Sequence, residues 1–127
     1  MWSRREIRSH AAAASLRVAV TSTGLELTKD LRMEVRRRML LAMSRFGPEV
    51  DGVTARLAER NNPLGGVDQR CRVRARLRSG LVLRAEAVNG ALEAAVSRSS
   101  ARLARLVAAE LGGGDGRPPW RPRGSEE

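Results

Sequence analysis

From Arg70 to Arg78 the chain reads Arg-Cys-Arg-Val-Arg-Ala-Arg-Leu-Arg, with arginine at every even position and an apolar residue at every odd one. Side chains of a strand alternate between faces with a period of two, so this segment suits a strand that is dry on one side and wet on the other. The dry side, Cys71, Val73, Ala75 and Leu77, needs a layer packed on it and strands beside it. The wet side carries Arg72, Arg74, Arg76 and Arg78 together.

The flanking sequence supplies those neighbours. Ser79-Gly80 is a short hairpin turn, and Leu81 to Val88 alternates again, with Leu81, Leu83, Ala85 and Ala87 on one face and Val82, Arg84 and Glu86 on the other. Upstream, Val53, Ala55 and Leu57 predict a strand, separated from the arginine strand (about Gln69 to Arg78) by the polar loop Asn61-Asn62-Pro63-Leu64-Gly65-Gly66. Leu16, Val18 and Val20 predict another, ending at a turn with Gly24.

Two segments switch to helical spacing. Thr28 is an N-cap residue with Asp30 in the first turn, and Leu31, Val35, Met39, Ala42 and Phe46 share one arc of a helix from about Lys29 to Arg45, ended by Gly47 and Pro48. Asn89 is the expected N-cap of a second helix reaching about Leu111, with Gly112 as its stop. Leu92, Val96, Ser99, Leu103, Leu106 and Val107 form its expected buried stripe. The order β-α-β-β-β-α predicts an α+β fold, a four-stranded sheet with both helices on one face. Residues 16 to 111 form the domain, 1 to 15 a flexible Arg-, Ser- and Ala-rich extension, and 112 to 127 a disordered Gly, Pro and Arg tail holding Trp120.

Charge narrows the function. The chain has 23 Arg, one Lys and a net charge of +10. Residues 16 to 111 hold 18 basic and 10 acidic side chains, so the excess belongs to the domain. A GC-rich genome favours arginine over lysine codons, but explains neither the net charge nor its periodic placement. A structured nucleic acid is the partner that fits. One Phe, two Trp and no Tyr provide no platform for stacking single-stranded bases, so binding by shape and phosphate is expected. The candidate contacts are Arg32, Arg36 and Arg37 on the first helix, Arg98, Arg102 and Arg105 on the second, and Arg74, Arg76, Arg78 and Arg84 on the sheet. A solvated face is the plain alternative for the second helix, yet its nearest acids, Glu93 and Glu110, lie at i−5 from Arg98 and i+5 from Arg105. For the sheet arginines, charge that discourages aggregation is an equally good reading. A regulatory domain gripping an acidic protein, or another structured RNA, stays open beside the first choice.

Catalysis, cofactors and metals find no support. His10 is the only histidine, no nucleophile-base-acid set is visible, and Gly112-Gly113-Gly114 follows a helix instead of opening one. Cys71 is the only cysteine, which excludes an internal disulfide and leaves no cysteine-based metal site. No apolar run approaches the ~20 residues of a membrane span, and Ala11 to Ala14 is too short for a signal-peptide core. No small-molecule substrate is expected.

The stretch Val20-Thr21-Ser22-Thr23-Gly24-Leu25-Glu26-Leu27-Thr28-Lys29-Asp30-Leu31, the hairpin at Ser79-Gly80, and Ala94-Ala95-Val96-Ser97 followed by Arg102-Leu103-Ala104-Arg105-Leu106-Val107 together resemble the bacterial ribosome hibernation-promoting factor family. The family is also called the ribosome-associated inhibitor or sigma-54 modulation family. The resemblance covers residues 16 to 111 and matches a short form, without the long form's dimerisation domain. It departs where Ser97 stands in place of an acid. It implies a fold like the double-stranded RNA-binding domain. It also implies a cytoplasmic, non-enzymatic factor that sits as a monomer on the small ribosomal subunit, against 16S-type rRNA near the decoding centre. There it would block tRNA and mRNA sites during stress.

Overall fold

A computed structural model describes residues 16–112. The expected extension and nearly all of the expected tail, with His10 and Trp120, lie outside the described residues. Within them the order is β1 (Arg17–Thr23), α1 (Lys29–Met43), a 3-10 segment (Ser44–Glu49), β2 (Val50–Asn61), β3 (Val67–Leu77), β4 (Val82–Asn89) and α2 (Leu92–Glu110). The strands lie in sequence order, β1-β2-β3-β4. β1 runs parallel to β2, with α1 as the crossover, and the other two pairings are antiparallel hairpins. This is the expected β-α-β-β-β-α sheet with two helices.

The alternation in β3 is realised as read: Cys71, Val73, Ala75 and Leu77 are buried while Arg72, Arg74 and Arg76 are exposed. Met39 of α1 and Leu103 of α2, both fully buried, join the same apolar cluster as these β3 residues. Val35 and Met43 complete the buried stripe of α1, at spacings of four. Leu31, Ala42 and Phe46 pack at its rim, half-buried. Thr28 does cap α1, its hydroxyl accepting the Leu31 N–H at 3.1 Å. The helix stops at Met43, short of Arg45, because Gly47 takes a φ of +57° and the chain tightens into the 3-10 segment that carries Phe46 and Pro48.

β2 starts three residues earlier than its alternation suggested. Val50 pairs with Leu77 and Gly52 with Arg76, so two residues of β2 oppose one step of β3. That bulge at Asp51 lets Val50 and Val53, three apart, both turn inward. At the other end, Gly24 has a φ of +81°, and a Cβ there would lie 3.3 Å from the Glu59 carbonyl oxygen. The turn after β1 therefore needs glycine both for its backbone angle and for its closeness to β2.

Two expectations about α2 are corrected. Asn89 is the last residue of β4, and Ala91 occupies the N-cap position without a side-chain bond. Asn89 instead accepts the Ala91 N–H through Oδ1 at 2.9 Å, an Asx turn linking strand to helix. Leu106 is 42% exposed, at the margin of the stripe. Ala95, Ser100 and Ala104 are buried, small side chains that let α2 settle closely onto the sheet. The buried hydroxyls of Ser99 and Ser100 donate to the carbonyls of Val96 and Ser97, which removes the cost of burying them.

Met39 packs without solvent contact between α1 and the sheet, so Met39→Ala should destabilise the chain by about 2–5 kcal/mol in urea unfolding. Burial also pushes the Cys71 thiol pKa up, so its labelling by a thiol reagent should follow global opening and accelerate in the same variant.

Candidate nucleic-acid interface

The hairpin register decides which side chains meet on the open face of the sheet. Leu77 N–H bonds to the Leu81 carbonyl at 2.8 Å. Hydrogen-bonded and non-hydrogen-bonded pairs alternate along an antiparallel ladder. Counting from 77–81, the pairs Arg76–Val82, Arg74–Arg84, Arg72–Glu86 and Arg70–Val88 are all of the non-hydrogen-bonded kind. Their side chains therefore stand in close cross-strand contact, and the backbone groups of Val82, Arg84, Glu86 and Val88 point away from β3 at the sheet edge.

Across β2, Arg72 faces Arg56, Arg74 faces Thr54 and Arg76 faces Gly52. Thr21, Ala19 and Arg17 of β1 extend these rows. The open face thus displays Arg17, Arg56, Arg60, Arg70, Arg72, Arg74, Arg76 and Arg84 against two acids, Asp68 and Glu86. Short residues at Ala19, Gly52 and Thr54 leave shallow grooves between the long side chains.

Glu86 is the internal counter-ion. It pairs with Arg70 at 3.1 Å, through two hydrogen bonds, and with Arg72 at 3.6 Å. The Arg70 guanidinium holds the Glu86 carboxyl below its ordinary pKa range, partial burial opposes this, and the charges of Arg70, Arg72 and Arg60 assist it. Among the described residues no carboxylate lies within 4.0 Å of Arg74, Arg76, Arg78 or Arg84. Arg78 follows the end of β3, is exposed, and gives its backbone N–H to the Glu49 carbonyl at 2.8 Å.

The helix arginines divide by what they touch. Arg36, Arg98 and Arg105 are exposed and, among the described residues, have no ion-pair partner. Arg37 is exposed but forks onto Glu34, at 3.1 Å. Arg38 shares that carboxylate and donates to the Ser97 hydroxyl at 2.7 Å, bridging the two helices. The two arginines hold Glu34 below its ordinary range through their hydrogen bonds, Arg37 foremost.

Arg32 and Arg102 are placed differently again. Arg32 donates to the Val20 carbonyl of β1 at 3.0 Å. Arg102 donates to the outward-pointing Glu86 carbonyl of β4. Each outer strand therefore has one carbonyl occupied by an arginine from the helix above it, which blunts an edge that could pair with another chain. Arg102 thereby reaches from the helical stripe to the β4 edge of the sheet.

Residue patterns alone did not put Arg17, Arg56, Arg60, Arg70 or Arg72 among the contacts. Arg17 was findable, since it alternates with the inward Leu16 and Val18. Neither the sheet face nor the helices hold a metal-binding cluster among the described residues, and no helix there is long and apolar enough to cross a membrane.

A basic α+β domain with arginine-bearing sheet and helix surfaces is what these elements define. The model of the sigma 54 modulation protein / S30EA ribosomal protein family matches residues 18–110, and the chain belongs to that family of ribosome-associated factors. Solved structures share the fold. The N-terminal domain of Thermus thermophilus Protein Y superposes with a TM-score of 0.55 at 21% identity, covering 70% of this chain and 91% of that one. A ribosomal subunit interface protein from Coxiella burnetii gives a TM-score of 0.56 at 16% identity, covering 72% and 93%. No curated protein sequence matches the chain.

Because the Glu86 pKa is lowered on folding, its ion pairs support the fold above its ordinary value of 4.5 and are lost as pH falls through the lower folded value. The pair is half exposed and screened, which limits it to about 0.2–1 kcal/mol. Glu86→Gln should therefore lower stability near neutral pH by that amount. The gap to the natural chain should close in urea titrations as pH falls from the ordinary value of 4.5 through the lower folded value.

Proposed function

We propose that this chain is a ribosome hibernation factor of the cytoplasm. It occupies the small subunit near the decoding centre and excludes tRNA and mRNA. Affinity comes from arginine–phosphate contacts to 16S-type rRNA, made by a monomer from both the helical and the sheet surfaces. Family membership supports the ribosome as target, and the Coxiella burnetii relative is titled a ribosomal subunit interface protein.

The observation that carries the reading is that many arginines are exposed and lack a carboxylate partner among the described residues, Arg36, Arg56, Arg74, Arg76, Arg78, Arg84, Arg98 and Arg105 included. A guanidinium forks onto two phosphate oxygens and stays charged at any physiological pH, so such groups grip a phosphate backbone without reading bases. Folded rRNA, recognised largely through shape and backbone, is the anion that suits them.

Co-sedimentation with isolated small subunits in sucrose gradients tests this. The protein should travel with the subunit at low salt, be displaced by excess tRNA, and lose affinity with a log–log salt slope of about −4 or steeper, as five or more phosphate contacts require. A protein that stays at the top of the gradient at low salt would rule the proposal out.

A further inference from the structure

Two arginine pairs stand directly opposite one another on the open sheet face, Arg56 against Arg72 and Arg74 against Arg84. Like charges in that position oppose each other and destabilise the sheet. Glu86 relieves one side only, through Arg72 and Arg70. Arg56, Arg74 and Arg84 have no carboxylate within 4.0 Å among the described residues. The four arginines line a groove of about 410 Å³ together with Thr54, which adds a hydroxyl donor, and Glu86. A sheet that tolerates this repulsion when empty is arranged to be completed by an anion.

The spacing indicates which anion. Arg72 and Arg74 are two residues apart on β3, about 6.8 Å along the strand. That is comparable to the step between neighbouring phosphates of a nucleic-acid strand. Each step also has its own cross-strand pair, which gives two guanidinium forks per phosphate. An acidic peptide fits less well. Extended peptides are registered by backbone hydrogen bonds at sheet edges, and a sheet face has no free backbone groups to offer.

We propose that this groove seats two successive phosphodiesters of an RNA strand lying along β3. Arg56 and Arg72 close on one phosphate, Arg74 and Arg84 on the next. Glu86 is the counter-ion that holds Arg72 in place while the groove is empty. The assignment rests on reading the chain as an rRNA binder, and it adds Arg56 and Arg72 to the contacts.

The test compares the full chain with the double variant Arg74→Gln, Arg84→Gln. Thermal melts are run in inorganic tripolyphosphate, in pentaglutamate and in sodium chloride, all at equal ionic strength. In dilute chloride the variant should melt higher by roughly 1–5 °C, because one repelling pair is gone. Tripolyphosphate should raise the melting temperature of the natural chain and leave the variant nearly unmoved. In gradients with small subunits the variant's salt slope should be shallower by about one, for the single phosphate that the pair no longer holds.

The phosphate site is overturned if the variant melts no higher in chloride, if tripolyphosphate shifts both proteins alike, or if pentaglutamate works as well as tripolyphosphate. Should the natural chain sediment with subunits while the variant keeps its full slope, the groove fails and the ribosomal reading stands. Should tripolyphosphate act selectively while no subunit binding is seen, the groove stands and the ribosomal reading fails.

Discussion

The whole arrangement depends on β3 being held between β2 and β4 with its apolar edge of side chains pressed under both helices. Cys71, Val73, Ala75 and Leu77 are fully or almost fully buried, in the same cluster as Met39 and Leu103. Because side chains alternate along a strand without a bulge, and β3 has none against β4, anchoring that side commits every intervening arginine to the opposite face. A slip of one residue would place guanidinium groups in the core, so the register is strongly specified by burial. Stability and display are thus two consequences of one strand.

The basic surface is not uniform once each guanidinium is assigned a partner. Some arginines are structural: Arg38 ties α1 to Ser97 of α2, Arg37 holds Glu34, and Arg32 and Arg102 occupy carbonyls of the outer strands. Others, such as Arg36, Arg74, Arg84, Arg98 and Arg105, are exposed with no carboxylate partner among the described residues. A chain with one lysine uses arginine for both purposes, because a planar fork can satisfy a carbonyl, a carboxylate or a phosphate with little rearrangement. Membership of the sigma 54 modulation protein / S30EA ribosomal protein family is the ground for proposing the ribosome as the partner of the unpaired set.

Much of the architecture could be read from local pattern. The hairpin at Ser79-Gly80, the Thr28 cap and the inward and outward sides of β3 are short-range features, decided by residues within a few positions of each other. Misjudged features depended on distant parts of the chain. The bulge at Asp51 exists because β2 must present Val50 beneath the helices and still keep register with β3. Asn89 looked like a helix cap, yet β4 extends through it and the helix waits for Leu92. Leu106 reads as core by spacing, but Ala95, Ser100 and Ala104 take up the contact with the sheet.

By itself the sequence determined that β3 has one arginine face, that two amphipathic helices must cover the other, and that the domain carries an excess of positive charge. Those follow from period, capping and composition, which are local or additive. Tertiary structure alone decided that Arg56 stands against Arg72, that Arg74 stands against Arg84, and that Glu86 serves Arg70 and Arg72. Cross-strand neighbours are about ten to sixteen positions apart in the chain and are selected by hairpin register and bulge, not by any residue's own preference. The same holds for the edge carbonyls met by Arg32 and Arg102, since only the packed position of each helix brings its arginine over the neighbouring strand.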